Sequence, residues 1–186
     1  MKITKVSAAL RKLLPLKYCG AVIVAAGNAS RMGGIDKVMA ALKGEPMIVR
    51  TARTFQNSNV IKEIVIVTRP DLIDKIKALC APFDKVKAVV AGGADRAESV
   101  NNGLKALSSK VRLAAVHDGA RPLITWQVID RTVRAANTYG AAAPAIPVKD
   151  TIKEVQGFVV KSTPDRASLR AVQTPQVFDS TSFGRP

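Results

Sequence analysis

Residues 22–37 read VIVAAGNASRMGGIDK: five apolar residues run directly into a segment with three glycines, Arg31 and, at its end, Lys37. A glycine-rich loop after a strand is where backbone amides often meet phosphate in open α/β sheets. This loop carries neither the GxGxxG spacing nor the GxxxxGK[ST] of a P-loop, so taken alone it reads equally as a plain tight turn.

Strand-like runs recur outward from it at 21–26, 63–68, 86–91 and 113–117, each rich in Val, Ile or Ala. Continuous apolar runs, rather than alternating ones, predict strands covered on both faces. Helical patterns lie between them. Pro46 suits a first helical position, with Met47, Ile48, Ala52 and Phe55 on one face. Asp71 opens a second helix that turns Leu72, Ile73, Ile76, Leu79 and Cys80 inward. A third carries the apolar stripe Ala97, Val100, Leu104, Leu107, and a fourth starts at Thr125 as N-cap with Ile129, Val133 and Ala136 inward. Strand–helix alternation over about 120 residues predicts an α/β domain on a doubly wound, mostly parallel sheet. Beyond residue 140 the pattern changes. The segments 151–155 and 158–162 bracket Gln156-Gly157 and predict a projecting β-hairpin, with 169–173 returning as a strand and Asp179 capping a further helix.

Composition narrows the class. The 186 residues are 47% hydrophobic, enough for one domain with a sizeable core. No run has the length of a membrane span, which argues against a membrane protein. Cys19 and Cys80 have no metal or redox spacing and suit a reducing, cytoplasmic compartment. The formal net charge is +15, and Lys2, Lys5, Arg11, Lys12 and Lys17 fall in the first 19 residues without any acid. Residues 1–19 therefore read as a basic N-terminal extension, either solvated or serving as a membrane-surface or partner-binding arm. Beyond it the charges are interspersed and no nucleic-acid motif is present, so a nucleic-acid partner is not expected.

In an open parallel sheet, ligands bind outside the carboxyl ends of the strands. The first such end carries Ala25, Ala26, Gly27, Asn28, Ala29, Ser30 and Arg31, then Lys37. The third carries Gly92, Gly93, Ala94, Asp95 and Arg96, with Ser99 one turn later. The fourth carries His117, Asp118, Gly119, Ala120 and Arg121, and the hairpin adds Thr151 and Arg166. Lys37, Arg31, Arg96, Arg121 and Arg166 gathered at one rim would form a pocket for several phosphates, with Asp118 a hard ligand for magnesium. Each residue also has a plainer reading. Asp95 and Ser99 would cap and face a helix, His117 would be a structural hydrogen-bonding residue, Arg121 would fasten a loop, and Arg166 would be solvated.

Taken together, AAGNASRMGG…DK, GGADRAES, HDGARP, PVKDTIK and PDR…TPQVF resemble, in order and spacing, the 2-C-methyl-D-erythritol 4-phosphate cytidylyltransferases, over residues 20 to about 179. The resemblance implies a Rossmann-like nucleotidyltransferase fold for residues 20–186. It also implies transfer of CMP from CTP to methylerythritol phosphate, with magnesium, in non-mevalonate isoprenoid biosynthesis. Residues Ala25, Ala26, Gly27, Asn28, Ala29 and Ser30 look like the loop around CTP, with Arg31 and Lys37 on its phosphates and Lys37 at the α-phosphate. Gly93, Ala94 and Ser99 match positions that read cytosine, while Asp118 and Ala120 lie beside metal and ribose. Arg121, Thr151, Arg166 and Thr174 match residues that hold the acceptor. The arm at 149–168 implies a homodimer, with Thr151 and Arg166 acting across it. Ala94 departs from a common acidic residue and Ala29 from a common glycine. The family's C-terminal lysine segment has no counterpart here, so a C-terminally shortened member with weakened turnover is expected. A ribitol 5-phosphate cytidylyltransferase and a catalytically silent CTP-binding homologue are the alternatives.

Overall fold

The computed structural model of the chain describes residues 15–27 and 36–180. β1 (Cys19–Ala25) is followed by the two-residue strands β2 (Ala41–Leu42) and β3 (Glu45–Pro46), then α1 (Met47–Gln56) and β4 (Ile61–Thr68). A 3₁₀ turn at Pro70–Leu72 leads into α2 (Ile73–Cys80), β5 (Val86–Ala91), α3 (Arg96–Ala106), β6 (Leu113–Asp118) and α4 (Trp126–Tyr139). The remainder holds β7 (Ala141–Ala142), β8 (Ala145–Pro147), β9 (Glu154–Gln156), β10 (Val159–Ser162), β11 (Arg170–Val172) and β12 (Gln176–Asp179).

The central sheet runs β5-β4-β1-β6-β12-β7. β5, β4, β1 and β6 are parallel, as the continuous apolar runs predict, and β12 closes antiparallel on β6. Alternate residues of each strand serve opposite faces. Ile23, Ile64 and Ile66 pack with Ile48, Phe55, Ile76, Ile129 and Val133, so α1, α2 and α4 share one face. Val22, Val65, Val67 and Val116 lie on the other, with Leu107 and Val111 beside α3. Cys19 and Cys80 are free and buried, and burial pushes their thiols up to about 12 and about 11. Both are packing residues rather than reactive ones. Among the described residues no helix is long and apolar enough to cross a membrane.

Several local expectations are corrected. Pro46 lies one residue ahead of α1, as its N-cap. Asp71 falls in the 3₁₀ turn, and α2 begins two residues later. On α3 the buried residues are Ser99 and Gly103, while Ala97 is exposed. A Cβ at Gly103 would sit 2.4 Å from Val22 Cγ1 and 2.7 Å from Val67 Cγ2, so glycine lets the helix lie close on the sheet. Val100, Leu104 and Leu107 of the expected stripe pack against the sheet beside these small residues, and only Ala97 turns outward. The hairpin turn is Gly157-Phe158, one residue later than expected, because Gln156 pairs with Val159. Gly157 has φ +58 and no positive φ follows at Phe158, the pattern of a type II′ turn with glycine first. Asp179 ends β12, and Lys17 Nζ reaches its carboxylate at 2.6 Å; the helix expected after it falls outside the described residues. Residues 15–18, assigned above to the basic extension, already belong to the domain. The Tyr18 carbonyl accepts Arg112 N and Leu113 N, and Lys17 N donates to Asn137 Oδ1.

Residues 149–163 are exposed throughout. The β9–β10 hairpin stands on the short β8–β11 ladder, so the arm expected from the sequence is present.

Candidate active site

The carboxyl ends of β1, β5 and β6 surround a cleft of about 360 Å³ lined by Val24, Ala26, Gly27, Gly93, Ala94, Asp95, Arg96, Ser99 and Asp118. Strand alternation decides which alanine faces it: Ala26 lines the cleft, whereas Ala25 is buried in the core on the α1 face. Asn28, Ala29, Ser30 and Arg31 lie outside the described residues.

The loop after β5 is tied down by its own helix. Gly92 N donates to Thr68 O at 2.8 Å, and a Cβ on Gly92 would come within 2.4 Å of Ala26 Cβ, so only glycine fits this crossing. Asp95 caps α3 by accepting Glu98 N at 2.7 Å. Ser99 Oγ donates to Asp95 O at 2.8 Å and accepts Gly93 N at 3.0 Å, and Ala94 N donates to Glu98 Oε2 at 2.7 Å. The plain reading of Asp95 and Ser99 as cap and helix-facing residue therefore holds, and the same bonds give the cleft its wall. With both amides taken, the recognition chemistry left to Gly93 and Ala94 is acceptance through their carbonyl oxygens.

At the end of β6 the Asp118 carboxylate takes two arginines, Arg96 Nη2 on Oδ1 at 3.1 Å and Arg121 Nε on Oδ2 at 2.9 Å. Gly119 N donates to Val24 O at 2.7 Å, and Thr51 Oγ1 donates to Gly119 O at 2.9 Å, which pins the turn to β1 and α1. His117 is fully buried, with Nε2 3.2 Å from Arg121 O and Nδ1 2.9 Å from Thr174 Oγ1. A carbonyl can only accept, so the proton sits on Nε2 and Nδ1 accepts the Thr174 hydroxyl. Burial pushes the imidazole down to about 4. His117 is thus the structural residue the sequence suggested, holding Arg121 and Thr174 on either side.

A second cleft of about 480 Å³ opens beside Arg121, lined by Ala120, Thr174 and Gln173 together with the apolar Leu123, Val128 and Ile146 among others. Arg121 Nη1 bonds Gln173 Oε1 there. The structure therefore brings Gly27, Ala26, Gly93, Ala94, Ser99 and Asp118 to one cleft and Ala120, Arg121 and Thr174 to the adjoining one. Thr151 and Arg166 line neither: both are exposed on the arm, where Arg166 Nη1 donates to Lys149 O at 2.8 Å. Lys37 is exposed on the turn that follows the glycine-rich segment. Sequence reading missed Glu98 and Gln173. Glu98 was legible as the third residue after a capping Asp, whereas Gln173 meets Arg121 across 52 residues and leaves no local signal.

Among the described residues no three His, Cys, Asp or Glu side chains converge on a metal position. Asp118 offers a hard carboxylate while Asp95 is spent as a cap. This donor set fits a magnesium ion that draws most of its ligands from substrate phosphates and water, not a protein-built cage.

A family model described as "IspD: 2-C-methyl-D-erythritol 4-phosphate cytidylyltransferase" matches residues 19–184. The chain is 45% identical over 161 residues to the 2-C-methyl-D-erythritol 4-phosphate cytidylyltransferase of Geobacillus kaustophilus, covering 85% of this chain and 70% of that protein. It is 46% identical over 159 residues to the protein of that name from Symbiobacterium thermophilum, covering 84% of this chain and 66% of that one. The fold is similar to a crystal structure of 4-diphosphocytidyl-2C-methyl-D-erythritol synthase from Anaerococcus prevotii, with a TM-score of 0.79 and 32% identity over 89% of this chain and 71% of that chain.

Proposed function

The chain belongs to the 2-C-methyl-D-erythritol 4-phosphate cytidylyltransferase family, and from that premise we propose that it transfers CMP from CTP to 2-C-methyl-D-erythritol 4-phosphate. An oxygen of the acceptor phosphate attacks the α-phosphorus of CTP, the bond to the β-phosphate oxygen breaks, and pyrophosphate leaves. The carrying observation is Asp118: Arg96, from the cleft after β5, and Arg121, from the adjoining cleft, meet on its two carboxylate oxygens. A nucleotide in the first cleft and a phosphorylated polyol in the second would meet at that point.

The cytosine lies against the loop after β5, whose carbonyl oxygens accept its exocyclic amine and offer nothing to the O4 of uracil. Ala120, which lines the adjoining cleft two residues after Asp118, would approach the ribose from that side. The segment from Ala26 to Ser30 would wrap the triphosphate, and Arg31 and Lys37 would meet the charge that builds on the phosphates as the bond breaks. Magnesium, held by Asp118 and the phosphates, would neutralise part of the same charge. Arg121 and Thr174 hold the acceptor within the protomer. Thr151 and Arg166 reach it from the partner's arm in a homodimer, which would give those exposed residues a site to serve. The setting is cytoplasmic.

Pyrophosphate release tests this reading. Purified chain with CTP, magnesium and 2-C-methyl-D-erythritol 4-phosphate should release pyrophosphate faster than with ribitol 5-phosphate or with UTP. No release with the methylerythritol acceptor, or faster release with ribitol 5-phosphate, overturns it.

A further inference from the structure

Lys37 is exposed, but the residue before it is not free. Asp36 Oδ1 accepts Val38 N at 3.1 Å, and the Asp36 carbonyl accepts Met39 N at 3.1 Å and Ala40 N at 2.9 Å. Its remaining carboxylate oxygen, Oδ2, takes Arg69 Nη2 at 2.7 Å. Arg69 is the first residue beyond β4. The same guanidinium donates through Nε and Nη2 to Asp71 at 3.1 and 3.2 Å, so it is gripped from both sides. The Arg69 and Asp36 side chains are only 23% and 21% exposed, which sets this pair apart from a solvated surface ion pair. On the opposite flank, Val38 O accepts Ile48 N and Ala40 O accepts Met47 N, both at 3.0 Å, in the first turn of α1. The turn at 36–40 is thus clamped between the end of β4 and the start of α1, and Lys37 rides on it.

We propose that Arg69 is a positioning residue for Lys37, gripping Asp36 so that the backbone carrying the ammonium is fixed where the nucleotide phosphates arrive. The proposal rests on the assignment of Lys37 to those phosphates. Two physical effects support it. Lysine hangs its charge on a flexible four-carbon stem, so a fixed root removes much of the search that the head would otherwise make. Asp36 is also the anion next to Lys37 in the chain. Occupied by Arg69, it neither draws the ammonium back nor repels the triphosphate.

The test compares wild type, Arg69→Ala, Arg69→Lys, Lys37→Ala and the Arg69→Ala/Lys37→Ala double variant. Arg69→Ala should lower kcat for pyrophosphate release about 10-fold while KM for CTP moves less than about 3-fold, the signature of a misplaced group. Arg69→Lys, which keeps a cation on Asp36, should lose less than about 3-fold, and Arg69→Ala should add less than about 2-fold in the Lys37→Ala background. A readout that needs no turnover accompanies these. Amide exchange at residues 38–40 should accelerate about 10-fold in Arg69→Ala, with the melting temperature lowered by less than about 2 °C. Unchanged exchange at 38–40, equal losses in both backgrounds, or intact kcat in Arg69→Ala beside an impaired Lys37→Ala would each overturn the clamp alone. Intact turnover in Lys37→Ala would instead overturn the assignment of Lys37, and the clamp's role with it.

Discussion

Between β5 and α3, two side chains of the helix hold the loop in front of them: Ser99 takes Gly93 N and Glu98 takes Ala94 N. Along the arm the reverse holds. Val155, Val159 and Val160 are more than half exposed, Phe158 is fully so, and Thr151 and Arg166 line neither cleft. The first region has its shape before any ligand comes, because its polar groups are satisfied locally. The second has apolar residues with nothing to bury them in this protomer, and a small two-stranded ribbon is marginal by itself. The loop after β5 is held by bonds to its own helix, whereas the arm keeps its hairpin pairing but leaves its apolar side chains exposed.

The largest expected effect comes from the residue that joins the clefts. Asp118→Asn keeps the shape but releases both arginines from a charge, and kcat for pyrophosphate release should fall by about 10² to 10³. A fall below 10-fold would show that the two clefts do not work as one site.

Next comes a pH dependence seated in the preformed region. His117 titrates near 6.5 when unfolded and about 4 when folded, so between these values the unfolded chain binds the extra proton. Its contribution is complete above pH 6.5 and is lost as the pH falls toward 4, about 3 kcal/mol at the limit. Urea midpoints between pH 7.5 and 4 should drop more steeply in wild type than in His117→Gln. Parallel curves would remove the buried imidazole as the cause.

The smallest effects make the most direct comparison. Gly92→Ala forces a Cβ to 2.4 Å from Ala26 Cβ and 2.8 Å from Ser99 Oγ, and should cost about 1–3 kcal/mol in urea unfolding. Phe158→Ser removes a fully exposed ring and should change the stability of the dilute protein by less than about 0.5 kcal/mol. In sizing experiments, however, it should shift the chain toward the monomer. Equal costs for the two substitutions would break the contrast between the regions.

Much of the fold was legible from local pattern. Continuous Val/Ile/Ala runs marked β1, β4, β5 and β6 to within a residue or two, because a strand covered on both faces has no polar side to interrupt it. β12 was not legible. Gln176–Asp179 is short and polar at both ends, and it is a strand because β6 offers it a ladder. The α3 stripe was legible through Val100, Leu104 and Leu107, but the close approach of the sheet at Gly103 was not, because hydrophobicity counts glycine as nothing. At the site, Gly93, Ser99, Asp118 and Arg121 were marked by the ends of strands. The partnerships that hold them were not, since His117 meets Thr174 across 57 residues and Arg69 meets Asp36 across 33.

The sequence by itself determined the layered α/β plan, the strand ends that carry chemistry, and a motif order specific enough to indicate the family. Those properties follow from short-range periodicity and from residue types that a strand end or helix cap requires. Only the tertiary structure decided that Ala26 rather than Ala25 faces the cleft, that the His117 proton sits on Nε2, and that Asp118 is shared by two arginines. Each depends on which atoms meet across the sheet, and packing in three dimensions alone sets those distances.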